Sequence, residues 1–169
     1  PTLPIITKTV SVHRSSMYKV CHRILSSDHL SQLTKSKCVV TPPSKKHPTA
    51  FNTIPITIGE TWAFNMFGGM AIGKIRLLEH KELERIELIV LWRCHAWPEH
   101  HFASTTIIFH QIDLLTEDRD VQFGVMGHSS GRKLTLVKFQ HTQVYALGKA
   151  SQSILQCWAT LAKRLQFIN

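Results

Sequence analysis

The chain has 169 residues, of which 43% are hydrophobic and 18% charged. That length suits one domain, and a charged share below the usual ~25% excludes a disordered chain. No run of ~18 apolar residues is present, so no membrane-spanning helix is expected. The formal net charge of +9 raises nucleic acid or an acidic protein surface as partners.

The distribution of charge narrows that choice. Residues 1–50 hold eight cations against Asp28 alone, residues 51–112 hold five against six anions, and residues 113–169 hold seven against four. The positive charge is therefore gathered towards the N-terminal third and does not form a stripe along the chain. Nucleic-acid binding is the weaker expectation, because aromatics do not interleave with that basic segment. Cys21, Cys38, Cys94 and Cys157 show no C-x-x-C spacing, so reduced thiols are expected, with Cys21 and Cys157 packed as small hydrophobes on apolar faces of predicted helices. Pro1 to Val12 lacks the pattern of a signal peptide, and with reduced cysteines this points to a cytoplasmic protein. The chain opens on Pro1 and not on Met, as a piece of something longer would.

Ile5 to Val12, rich in Thr and Val, predicts a strand. Ser15 or Ser16 can cap a short helix whose apolar face is Met17, Val20, Cys21, Ile24 and Leu25. Ser26-Ser27-Asp28 interrupts it and can cap a second helix carrying Leu30 and Leu33. Residues 42–59, with Pro42, Pro43, Lys45, Lys46, Pro48 and Pro55, predict a long exposed loop.

From 60 to 140 the pattern is β. Trp62, Phe64 and Met66 share one face, Gly68-Gly69 predicts a tight hairpin, and Ala71 to Leu78 returns. Ile86 to Cys94 reads as a covered strand and Phe102 to Gln111 as the next. Asp113 to Asp120 reads as an acidic turn; Val121 to Met126 and Leu134 to Phe139 flank the hairpin signature at 127–131. The last element is a helix on the seam Ile154, Trp158, Leu161 and Leu165, with Ser153 and Gln156 in capping-box spacing and Lys163 and Arg164 in the last turn. Sixteen such residues would span about 24 Å, enough to cross a sheet. The expected fold is α+β in one domain over residues 1–169: a curved antiparallel sheet gripping a long C-terminal helix, with two short helices after strand 1.

The densest stretch contains Phe64, Phe67, Gly68, Gly69 and Gly73, then Trp92, Arg93, Trp97, Pro98, His101 and Ser104. These fit F-x-x-F-G-G-x-x-x-G followed by W-R-x-x-x-W-P-x-x-H of the pattern W-R-x-x-x-W-P-x-x-H-x-[ST], with Ser104 one residue beyond the pattern's last position, which is Ala103 here. The chain thereby resembles the C-terminal domain of the activators of the 90-kDa heat-shock chaperone's ATPase, within the START and birch-pollen-allergen helix-grip superfamily. The resemblance implies a co-chaperone-type domain that binds that chaperone and modulates its ATPase, without a cofactor or chemistry of its own. The chain departs from the pattern in a longer 42–59 segment, an expanded 111–133 region, and Lys149-Ala150-Ser151-Gln152 before the last helix. Nothing in it resembles the separate N-terminal domain of the full activators.

Several residues carry two readings. Gly68, Gly69 and Gly73 serve positive φ or close backbone approach. Trp92 shares a strand face with Leu88 and Val90, as core or as cavity lining. Arg93, on the opposite face, pairs with a carboxylate or belongs to a partner surface. Trp97-Pro98 ends the strand as a packed corner or, with Arg93 and His101, as a partner-binding surface. The alternative function is a carrier of a small hydrophobic ligand, held between sheet and helix by Phe64, Trp92, Ile108, Leu155 and Trp158. Cys94, His95 and Glu99 are close in sequence, but adjacent strand residues point to opposite faces, so no metal site is expected. The chain carries no G-x-S-x-G, H-E-x-x-H or P-loop pattern, and the enzyme reading is set aside.

Overall fold

The computed structural model describes residues 1–43, 61–113 and 133–167. Strand β1 (Ile6–His13) leads into helices α1 (Met17–Leu25) and α2 (Ser27–Thr34), followed by strands β2 (Val39–Thr41), β3 (Thr61–Met66), β4 (Ala71–His80), β5 (Arg85–Cys94), β6 (Ala103–Asp113) and β7 (Lys133–Thr142). Helix α3 (Lys149–Leu165) follows. The strands form one antiparallel sheet in the order β1-β7-β6-β5-β4-β3-β2. This is the expected fold class: a seven-stranded antiparallel sheet gripping a long C-terminal helix, with two short helices after β1.

Local chemistry sets the helix ends. Ser16 caps α1 by accepting the Lys19 N–H at 3.2 Å. Ser26 both ends α1 and caps α2, and Lys35 ends α2 in the left-handed conformation. The sheet register places apolar side chains opposite one another, as in the row Val10–Val137–Phe109–Ile86, all buried. A slip of one residue would turn every one of these outward. The buried face of the sheet meets α1, α2 and α3, whose core residues include Val20, Ile24, Leu30, Ile154 and Leu161.

Three details differ from the sequence expectation. The short edge strand β2, paired with β3, has too few residues to show an alternation. Helix α3 begins at Lys149, with Gly148 at the N-cap and no side-chain cap. The Ser153 hydroxyl donates to the Lys149 carbonyl instead of closing a capping box. The Gly68-Gly69 hairpin is a 3-10 turn over Phe67–Gly69 in which all three residues have positive φ. The greater part of the 42–59 loop, the acidic turn, the strand at 121–126 and the hairpin at 127–131 lie outside the described residues.

Candidate functional site

The space between sheet and α3 is built from rings. Trp158, on the buried seam of α3, lies 5.3 Å from Phe67, 6.1 Å from Trp92 and 6.2 Å from Phe139, between ring centroids. Phe64, Trp92 and Trp158 are all at most 1% exposed. Phe64 packs against the cross-strand Gly73, where a Cβ would run into the Phe64 ring and the Leu91 carbonyl. Gly73 is thus a close-approach glycine inside a strand. Three of the five expected cavity residues therefore meet here as packed core.

The other two do not line this space in the expected way. Leu155 is half-buried on the flank of α3. Ile108 lies on the outer face of the sheet, opposite Glu87 and Lys138. Its neighbour Ile107, opposite Leu88 and Phe139, faces the core. Burying an aromatic such as Trp or Phe removes roughly 150–250 Å² from water, so these rings occupy the room a carried ligand would need.

A polar relay runs through the same core. The Trp92 indole N–H donates to Thr105 Oγ1 at 2.8 Å, and that oxygen lies 2.8 Å from His141 Nδ1. A neutral ring with a bare Nδ1 accepts the Thr105 proton, so that Thr105 accepts from Trp92 and donates to His141. Burial lowers the His141 pKa from 6.5 to about 4, because a charged imidazolium would lose its hydration there. Trp158 Nε1, beside the His141 ring, has no hydrogen-bond partner among the described residues.

The β5–β6 connection carries the second half of the motif. Trp97 is 4% exposed, and its indole N–H donates to Ser151 Oγ at 2.9 Å. This pegs the loop to the first turn of α3. The Trp97 ring lies 4.9 Å from Trp92 and 5.5 Å from His101, and His101 in turn lies 5.0 Å from Tyr145. His101 Nε2 is 2.9 Å from the Gln143 carbonyl. Trp97 is consequently a packed corner and presents no surface to a partner.

Among the described residues Arg93 is paired with carbonyls and with no carboxylate. Its guanidinium donates to Trp97 O at 3.3 Å and Pro98 O at 3.5 Å, over the Phe102 ring. Pro98, Glu99 and His100 form the exposed crest of this loop, with His100 at φ +71. Cys94 is buried beneath the loop, while His95 is exposed on it.

A cleft of about 500 Å³ opens away from the grip helix, between α1 and the β4–β5 end of the sheet. Its walls include Leu25, Trp62, Leu77 and Ile86, with Tyr18 donating to Glu79 at 2.6 Å on its rim. Cys21 lies in its wall, and burial pushes that thiol up to about 12. No helix among the described residues is long and apolar enough to cross a membrane.

No family model matches the chain. An uncharacterized protein of Schizosaccharomyces pombe is 36% identical over 63 residues, a match that takes in 37% of this chain and 18% of that relative. The aligned part thus spans under a fifth of the curated relative's length. Among solved structures, a hypothetical protein from Helicobacter pylori is similar at 13% identity and TM-score 0.53, over 98% of this chain and 87% of its own. Such a likeness shows the fold alone. A START superfamily protein from Mycobacterium smegmatis gives 13% identity and TM-score 0.46, over 95% of this chain and 96% of its own. The Aha1 dimer from Colwellia psychrerythraea gives 14% and 0.46, over 97% of this chain and 94% of its own.

Proposed function

We propose that this chain is a co-chaperone-type domain that binds the 90-kDa heat-shock chaperone and modulates its ATPase without chemistry of its own. The observation that carries the reading is how the motif residues are used. Trp97 ties the loop carrying the exposed crest at Pro98, Glu99 and His100 to α3, Arg93 braces the loop from its own carbonyls and His101 ties it to Gln143 after β7, while Phe64, Trp92 and Trp158 close the space a carried ligand would fill. A preformed crest binds with little ordering cost. Such a domain acts by favouring one chaperone conformation over another, which shifts the populations on which ATP turnover depends. A cytoplasmic location belongs to the same reading.

The test is capture of the purified chaperone on immobilised chain, with ATPase rate measured with and without the chain. Binding with a changed rate is expected, and a Pro98→Ala, His100→Ala variant should weaken both. Absence of binding at low salt would sink the proposal.

A further inference from the structure

Beside the grip helix, on the side away from the cleft, α3 and the edge strand β1 leave a groove of about 460 Å³. Its lining includes Lys8 from β1, Gln156, Thr160, Lys163 and Arg164 from α3, and Phe167 just past the helix end. Phe167 is 72% exposed. Together β1 and α3 carry Lys8, Lys149, Lys163 and Arg164 and no carboxylate. Among the described residues no acidic group lies within ion-pair distance of Lys8, Lys163 or Arg164; Arg164 donates to the Leu33 carbonyl.

The backbone of β1 supplies a second, independent feature. Among the described residues β7 is the only strand that pairs with β1. The Arg14 N–H donates to Lys133 O, and with the register this turns the N–H and C=O groups of even-numbered residues towards β7. Those of Thr7, Thr9 and Ser11 therefore face outward. No proline or charged residue stands at these three positions to block another strand, although edges are usually blunted that way.

We propose that the β1–α3 groove docks an acidic, extended segment of a partner protein. The segment adds its backbone to the outward edge at Thr7, Thr9 and Ser11 and sets its carboxylates against Lys8, Lys163 and Arg164. Phe167 offers an apolar contact at the end of the groove. A second copy of this chain is disfavoured as occupant by like charge. Nucleic acid fits less well, since three cations would neutralise about three phosphates, and the outward amides match a peptide. The proposal does not depend on the chaperone reading.

The probe is a short fluorescein-labelled peptide of alternating Glu and Val, followed by fluorescence anisotropy at about 0.15 M salt. At that ionic strength charges act over roughly 8 Å. Lys8→Glu with Lys163→Glu should weaken binding about tenfold or more. Lys149→Glu, about 21 Å along the helix from Lys163, should change it less than about twofold. Thr9→Pro removes an outward N–H while sparing the bonds to β7, and should abolish binding with a near-parental melting temperature. In the unaltered protein, NMR amide shifts on peptide addition should centre on Thr7, Thr9 and Ser11. No binding, equal loss on Lys149→Glu, or unshifted β1 amides would each overturn the proposal. So would displacement of the peptide by a single-stranded oligonucleotide of equal charge that binds more tightly.

Discussion

At its N-terminal end, α3 lies under the β5–β6 loop, where the Trp97 indole N–H reaches Ser151 and the buried rings of Trp92, Trp97 and Trp158 pack at tilted angles into one cluster. At its C-terminal end the same helix leaves Lys163 and Phe167 in solvent beside Lys8. The difference is one of energetics. Buried rings, with the Trp92 and Trp97 N–H groups hydrogen-bonded, fix a geometry and tolerate little change, whereas exposed cations add little to stability and much to encounter and selectivity. One end of the helix thus makes a fold, and the other leaves a surface available.

The comparison can be broken most strongly at Trp158. Trp158→Ala empties the centre of the cluster and should cost about 3–5 kcal/mol in urea unfolding, the range for large aromatic truncations. Trp158→Phe should cost far less, because it keeps most of the packing and removes an indole N–H that has no described partner. Equal losses for the two variants would show that the ring is not held by its packing.

His141 gives the next largest effect. Its pKa in the folded protein is about 4 against 6.5 for a free imidazole. As pH falls, the unfolded chain takes up the proton first. The stability tied to the neutral ring is therefore complete above pH ~6.5 and is lost progressively down to pH ~4, by up to roughly 3 kcal/mol. A His141→Gln variant, measured by urea unfolding from neutral to acidic pH, should have a lower baseline and a shallower slope through that window. An unchanged slope would mean that His141 is not the group that titrates.

Much of this organisation was legible from the sequence, and the exceptions have physical causes. The alternation along Ile86 to Cys94 correctly put Trp92 on one face with Leu88 and Val90. The seam of α3 buries Ile154, Trp158, Leu161 and Leu165 as its spacing implied, with Ala162 beside them, but Leu155 is half-buried and Ala159 exposed, so it is narrower on that flank. Ile107-Ile108 shows where periodicity fails: two adjacent residues of one type give no parity, and the pairing of Ile107 with the buried Leu88 and Phe139 settles that it is the one that turns inward. Trp97 could be read as surface or corner because its partner Ser151 lies 54 residues away. The β1–α3 groove leaves no local trace, since its cations come from opposite ends of the chain.

The smallest effect sharpens the comparison best, because it sets the two ends of α3 against each other within one assay. Ser151→Ala removes the only described acceptor of the Trp97 indole N–H and strands a donor that is 4% exposed. Leaving a buried donor unsatisfied costs about 1–3 kcal/mol, and the neighbouring Trp92 and His101 rings give water little access to it. Lys163→Glu at the other end of the helix alters an exposed side chain with no described carboxylate partner, and should shift stability by less than about 0.5 kcal/mol. Urea unfolding of the two variants side by side should rank Ser151→Ala clearly below Lys163→Glu. If Ser151→Ala were as stable as the parent, the loop would be held by ring packing alone, and the hydrogen bond to α3 would be a consequence of that packing and not its cause.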